Sequence, residues 1–472
     1  MTTDQQAPDE FADLTELMRD ELPEPDAAVE AEIRRLRRRR RRRALLVTVA
    51  IVAVILLATG GYAGWALNAP LAAPVATAQA PTVMPPPPAV IAMPAEGASA
   101  ISVSGGDAYL GPAASGIWTT SGTDEPRPIA SLTKLITALV ILDAKPLAHA
   151  TDPGPTITFS DADNDLYDKY YVMGATIAAM PTGSSMTQRQ ALATMLVPSA
   201  SNYAEAVSTW AFGSQGRFVD AARTWLAAHG LTGTTIVEPT GMSPRNTSTL
   251  TDLIAIGKLA AADPTIALIA ATPSLSFDGL DRMFNTNALL GTGGITGLKT
   301  GNLGPGTHNL LYSALMDVEV ERGVAQRLSV IGVVLGGASR ESVNADVLAQ
   351  LDSIRAGFHD VPLAVRGQQV GSLATPWGAT ADLVLARDAS IFTWSDTAIT
   401  LEMETAAPET YTDGAVAGSI TWTAGPHTET VEILVQGDIE PPTEWWRLTH
   451  PAELGGARSG SDSGAGASWP HQ

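Results

Sequence analysis

The chain has no cysteine, which excludes disulfide staples, thiolate metal sites and cysteine nucleophiles. Its seven histidines are scattered from His149 to His471, and none pair at metal-ligand spacing. That argues against a zinc peptidase, and neither a metal nor a cofactor is expected. No internal repeat is apparent. Positive charge is scarce after residue 43, where 19 Lys and Arg face 38 Asp and Glu, a net charge of −19. An acidic remainder of this kind argues against nucleic acid or anionic lipid as its partner.

The exception to that scarcity is one run near the N-terminus. Arg34, Arg35 and Arg37 through Arg43 immediately precede Ala44–Leu67, 24 residues without a charge. A helix of that length spans a bilayer, and the positive-inside rule keeps the arginines cytoplasmic. The adjacent span favours this reading over nucleic-acid binding, and the run also suits anionic headgroups. Secretory signals carry apolar regions of roughly 7–15 residues, shorter than this one. The small-x-small Ala78-Gln79-Ala80 lies well past its end. The expectation is an uncleaved single-pass anchor in the cell membrane, N-terminus cytoplasmic and everything after Leu67 extracellular.

At 472 residues and 45% apolar, the chain can build a real core and should hold two folded units with accessory segments. Residues 1–43 read as a cytoplasmic tail, disordered or loosely helical before the arginines. Residues 68–97 are rich in Pro and Ala, including Pro85–Pro88, and read as a semi-rigid linker. A folded domain is expected over 98–358. Its strands are 101–110, 116–120 and the hairpin 309–318 with 326–335. Its helices are the stretch from Ile129, 187–210, 217–229 and 341–358. Strands, helices, then strands and a helix give an α+β class, with helices against an antiparallel sheet. Residues 361–454 alternate in short runs broken by Gly, Pro and Asp, which predicts a small all-β domain ending near Trp445-Trp446. Adjacent tryptophans are read as packing rather than as a carbohydrate platform. Residues 455–472 are Gly/Ser-rich and read as a disordered tail.

Two motifs carry chemistry. Ser131-Leu-Thr-Lys134 sets a hydroxyl and an amine one helical turn apart, on the same face of an almost wholly apolar stretch. Burial lowers a lysine's pKa, and a lysine so tuned takes a proton near neutral pH. A serine is a weak nucleophile until such a base relieves it of its proton. Taken alone, the tetrapeptide is common. Far downstream, Gly294–Gly301 reads as a short strand carrying Lys299-Thr300-Gly301, and the two elements belong to one penicillin-recognising set.

With Ala130–Lys134, Val237-Glu-Pro-Thr-Gly, Asn285–Leu290 and Gly297–Gly301 in that order, the chain resembles the low-molecular-mass penicillin-binding proteins that are D-alanyl-D-alanine carboxypeptidases. The resemblance covers roughly Ser102 to Phe358. It implies a serine transpeptidase/β-lactamase-like domain and an acyl-enzyme on Ser131, with Lys134 as proton acceptor. Peptidoglycan stem peptides would be substrates, and β-lactams acylating inhibitors. It implies that Lys299 and Thr300 hold the terminal carboxylate, that Gly301 permits close approach, and that N–H groups of Ser131 and Asn302 face the oxyanion.

The family's middle Ser-x-Asn falls on Met195-Leu-Val-Pro-Ser199-Ala-Ser201-Asn202. Ser199 takes the serine's place as proton relay, but Ser201 stands where the family has Asn. Asn202 is one residue late, a rotation of about 100° on a helix. Ser201 keeps a donor and an acceptor, and an active but slowed enzyme is expected. Competing readings are a β-lactamase-like hydrolase, a catalytically weakened or inactive wall-binding homologue, and a shifted balance toward endopeptidase or transpeptidase. Against the first, no Glu is placed as a deacylating base, and Glu238 reads more simply as loop structure.

Overall fold

The computed structural model describes residues 27–455 apart from 85, 86, 279, 322, 323 and 396. The expected disorder of the far N-terminus and of the C-terminal tail beyond Gly455 lies outside the described residues. Helix α1 (Ala27–Asn68) runs unbroken through the arginines and the apolar segment. The stretch from residue 27 to 33, expected as disordered or loosely helical, is helical here, and the arginine run continues it. Arginine is a good helix former, and once the apolar span is helical each further residue adds a bond without a new nucleus. By length and composition α1 can cross a membrane.

The chain divides into two compact units, residues 78–371 with 382–436, and residues 1–77 with 372–381 and 437–472. In the first unit, β1 (Ala98–Ser104) and β2 (Thr119–Ser121) lead to a 3₁₀ turn, Ala130–Leu132, which runs straight into α2 (Thr133–Ala144). The expected strand 101–110 is shorter than read: it stops at Ser104, and Asp107–Leu110 forms a helical turn after Gly105 and Gly106. Then follow α3 (Asp161–Val172), α4 (Gln188–Leu196), α5 (Ser201–Phe212), α6 (Gln215–Ala228) and α7 (Leu250–Ala262). Strands β3 (Ile295–Gly301), β4 (His308–Glu321) and β5 (Val324–Gly337) precede α8 (Arg340–Ala356).

The strands form an antiparallel sheet in the order β3-β4-β5-β1-β2. Its two faces sort by the period of two. Leu311, Ile331, Val333, Ala98 and Ala100 join one core cluster with residues of α2 and α4 to α7. Leu310, Tyr312, Val330, Val334, Ile101 and Val103 join another with Val343, Val347 and Leu351 of α8. Helices thus cover the sheet on both faces. Every residue from Thr133 to Leu142 is buried, so α2 is a core helix, its buried stretch apolar apart from Thr133, Lys134 and Thr137.

After α8 come β6 (Phe358–Ala364), β7 (Thr380–Leu385), β8 (Ala389–Trp394), β9 (Ile399–Thr405), β10 (Val416–Ala424) and β11 (His427–Gln436). β6 pairs with β8, while β10 lies between β9 and β11, and β11 also pairs with β7 from Asp382 to Leu385. This is the all-β region that the alternation predicts. Its expected end is different: Trp445 and Trp446 lie on a helix, α9 (Glu444–Thr449), capped by the Thr443 side chain. Within the second unit α9 packs on α1, where Tyr62 Oη donates to the Leu448 carbonyl at 2.7 Å and Arg447 to that of Ala69 at 2.9 Å. Trp446 stacks on His450 and meets Trp377 edge-on, whereas Trp445 is exposed.

Candidate active site

Ser131 occupies the 3₁₀ turn rather than the helix proper, and Lys134 lies in the first turn of α2. The one-turn relation holds across the junction: Lys134 Nζ donates to Ser131 Oγ at 3.0 Å and to the Thr240 carbonyl at 2.7 Å. Ser131 is half-buried and Lys134 fully buried. Burial brings the lysine down to about 7, with the nearby Glu238 charge pulling the other way. An amine so placed is neutral in a substantial fraction of molecules at neutral pH and faces the hydroxyl it would deprotonate.

The backbone at this turn is held in an unusual shape. Ala130 has φ of 50° and Ser199 has φ of 72°, the two non-glycine residues with positive φ among the described residues. Ala130 immediately precedes Ser131, and Ser199 is itself the serine of the middle motif. Strain of this kind costs about 1–3 kcal/mol per residue and persists where surrounding structure enforces it.

Ser199 sits in a break between two helices. The expected helix from 187 to 210 is two helices, α4 ending at Leu196 and α5 starting at Ser201. Pro198 explains the break, since it offers no N–H and its ring collides with the carbonyl four residues back. The break turns Ser199 and Ser201 toward a cleft of about 410 Å³ that Ser131, Thr300, Gly301 and Asn302 also line. Asn202 does not join them. It is fully buried, donating to the Ala178 carbonyl at 2.7 Å and accepting from the Ala178 N–H at 3.2 Å. The late asparagine is thus a clamp on the neighbouring loop.

The Lys-Thr-Gly segment ends β3, in register with Asn309–Leu311 of β4. Lys299 is buried behind the cleft wall, donating to Thr286 Oγ1 at 3.3 Å and to the Thr300 carbonyl at 3.1 Å. Burial, then the Lys134 and Arg340 charges, hold its amine well below the ordinary lysine value. Thr300 Oγ1 donates to Thr286 Oγ1 at 2.7 Å. Gly301 lies against the nucleophile's own backbone, since a Cβ there would sit 2.9 Å from the Ser131 nitrogen and 3.0 Å from the Ile129 oxygen. Asn302 is exposed at the cleft mouth.

Three residues absent from the sequence reading belong to this place. Thr286 bonds both Lys299 and Thr300, and Arg340, at the start of α8, lines the cleft and reaches the Thr286 carbonyl at 3.5 Å. His308 lines the same cleft. Thr286 lies inside the Asn285–Leu290 marker, so a signal for it was present. Arg340 and His308 carry no local pattern. Glu238 does not line the cleft.

The family model described as D-alanyl-D-alanine carboxypeptidase matches residues 97–338. No curated protein matches the chain. Among solved structures it is similar to penicillin-binding protein 5 of Haemophilus influenzae, at 19% identity and a TM-score of 0.48, covering 76% of this chain and 100% of that one. It is also similar to the D-alanyl-D-alanine carboxypeptidase DacD of Francisella tularensis, at 16% identity and 0.49, covering 77% and 97%. A third is PBP3 of Streptococcus pneumoniae, a peptidoglycan synthesis regulatory factor, at 21% identity and 0.47, covering 74% and 100%.

Proposed function

The chain belongs to the D-alanyl-D-alanine carboxypeptidase family, and from that premise we propose that it removes the terminal D-alanine of peptidoglycan stem peptides through an acyl-enzyme on Ser131. It is a serine-type hydrolase of the penicillin-binding group. The observation that carries the residue assignment is the 3.0 Å contact between Ser131 Oγ and a fully buried Lys134 amine.

In this reading Lys134 takes the Ser131 proton as Oγ attacks the carbonyl of the penultimate residue. N–H groups of Ser131 and Asn302 face the negative oxygen that forms. Ser199 hands the proton to the departing D-alanine amine, and water then cleaves the ester to release the shortened peptide. Lys299 and Thr300 receive the terminal carboxylate, whose charge favours the cationic lysine that burial alone disfavours. Arg340 adds positive charge beside them. An apolar helix at the N-terminus fits membrane anchoring, and we read the topology as N-terminus cytoplasmic with the peptidase domain, residues 98–358, outside. Residues 68–97 serve as its linker.

The test is a synthetic pentapeptide ending in D-Ala-D-Ala. Release of one D-alanine, blocked by prior penicillin treatment with the adduct mapped to Ser131, is the expected result. A chain that yields neither product nor adduct overturns the proposal in favour of a wall-binding homologue. Fast turnover of a cephalosporin without lasting label would instead indicate a β-lactamase-like hydrolase.

Ser201 gives a second expectation. Exchanging it for asparagine supplies a paired amide where serine offers one hydroxyl, and a hydrogen bond recovered in the transition state is worth about 1–1.5 kcal/mol. Ser201→Asn should therefore raise kcat/KM roughly tenfold. An unchanged or lower value would show that the cleft is already matched to serine.

A further inference from the structure

Glu238 takes no part in the chemistry above, yet its carboxylate is the hub of the loop behind Lys134. One oxygen accepts from the Thr240 N–H and from Thr240 Oγ1, both at 2.7 Å. The other accepts from the Gly241 N–H at 2.7 Å, the Ser243 N–H at 3.2 Å and Asn246 Nδ2 at 2.9 Å. A short loop gathered on one carboxylate has little freedom to turn its carbonyls. The Thr240 carbonyl is the one that receives Lys134 Nζ. The loop is tied to α2 at two more points, Asn246 Nδ2 to Thr133 Oγ1 at 3.2 Å and Thr137 Oγ1 to the Pro239 carbonyl at 2.8 Å.

We propose that Glu238 is a positioning residue for the acylation step: it aims the Thr240 carbonyl at Lys134 and supplies the negative charge that the buried amine faces. The proposal rests on reading Ser131 and Lys134 as nucleophile and base. Its logic is a balance. Burial makes the amine neutral and able to accept a proton, but an amine stripped of every opposing charge becomes too weak a base to take one from a hydroxyl. Glu238 acts in the opposite sense to burial.

Charged and titratable groups on the neighbouring elements do not replace it. Lys299 approaches from β3 with Arg340 beyond it, and both are cationic when protonated. From α3, Tyr170 donates to Glu205 of α5, which is also paired with Lys169 at 2.5 Å, and the tyrosine's own value is raised by burial and by that bond. Asp252 of α7 accepts from Thr234 at 2.7 Å.

The experiment measures the penicillin acylation rate of the detergent-solubilised full chain as a function of pH. In the wild type the rate rises as Lys134 loses its proton through the neutral range. Glu238→Gln removes the charge, so the protonated amine is less favoured and the midpoint should move to lower pH by about half a unit or more. Glu238→Asp keeps the charge and should hold the midpoint near its original place. Ser243→Asp, at a half-buried position on the same loop, adds a negative charge and should move the midpoint to higher pH. If Glu238→Gln does not fold, Ser243→Asp decides alone. Midpoints unmoved in the folded variants, with rates lowered equally at all pH, overturn the proposal and leave Glu238 a structural brace. A wild type that penicillin never acylates also overturns it, but is told apart because the Ser131 reading fails with it.

Discussion

Lys134→Met is expected to lower the rate of penicillin acylation about a thousandfold while leaving the melting temperature nearly unchanged. The side chain lies fully buried in a core helix, its amine bonded to Ser131 Oγ and the Thr240 carbonyl. Methionine keeps an unbranched apolar stem out to Cε, with sulfur in place of Cδ, and lacks the amine. Loss of the base removes general base assistance, which contributes about 10²–10⁴-fold in rate. The Thr240 carbonyl loses a donor, which costs about 1–3 kcal/mol, while the cost of burying an amine disappears with it. The two changes oppose each other, so stability should move little. The pH profile gives the sharper reading. With Lys134 at about 7, the wild-type rate climbs through neutral pH as the amine becomes neutral. In Lys134→Met that climb should vanish. Stopped-flow labelling with a fluorescent penicillin measures both effects, and a variant that acylates within tenfold of wild type with the climb intact would remove Lys134 from the mechanism.

What could be read in the sequence was local. The Ser131 and Lys134 spacing, the apolar stretch that buries them and the strand ending in Lys299-Thr300-Gly301 each depend on a few consecutive residues. The hairpin of β4 and β5 and the amphipathic α8 were legible for the same reason. Three things were not. The break at Pro198 was hidden because α4 and α5 are both core helices, so apolar residues recur on either side without a visible change of phase. The convergence of Thr286 and Arg340 on Lys299 joins residues 13 and 41 positions away through the fold, and no periodicity records it. The third was what Val237-Glu-Pro-Thr-Gly does, because its partners on the Ala130–Thr137 segment lie about a hundred residues upstream.

The glycine of that block supplies the second large effect. Gly241 has φ of 84°, and a Cβ placed on it would lie 1.9 Å from the Ala130 oxygen and 2.9 Å from the Ser131 nitrogen. No rotamer relieves such a contact, because both partners are backbone. Gly241→Ala must therefore push the turn bearing Ser131 away, or the Thr240 carbonyl away from Lys134. Either shift spoils the 3.0 Å contact between Ser131 and Lys134. A misplacement of about 1 Å at a reacting centre can cost on the order of 10²-fold, and acylation should fall by about that factor. The left-handed backbone adds roughly 1–2 kcal/mol for any residue with a Cβ, so the melting temperature should fall too. Gly230→Ala separates the two causes. Gly230 has a similar φ, 71°, but a Cβ there meets nothing within 4 Å. That variant should lose stability and keep its acylation rate. If both variants lose acylation alike, the loss follows from weakened folding, and the contact with Ala130 carries none of it.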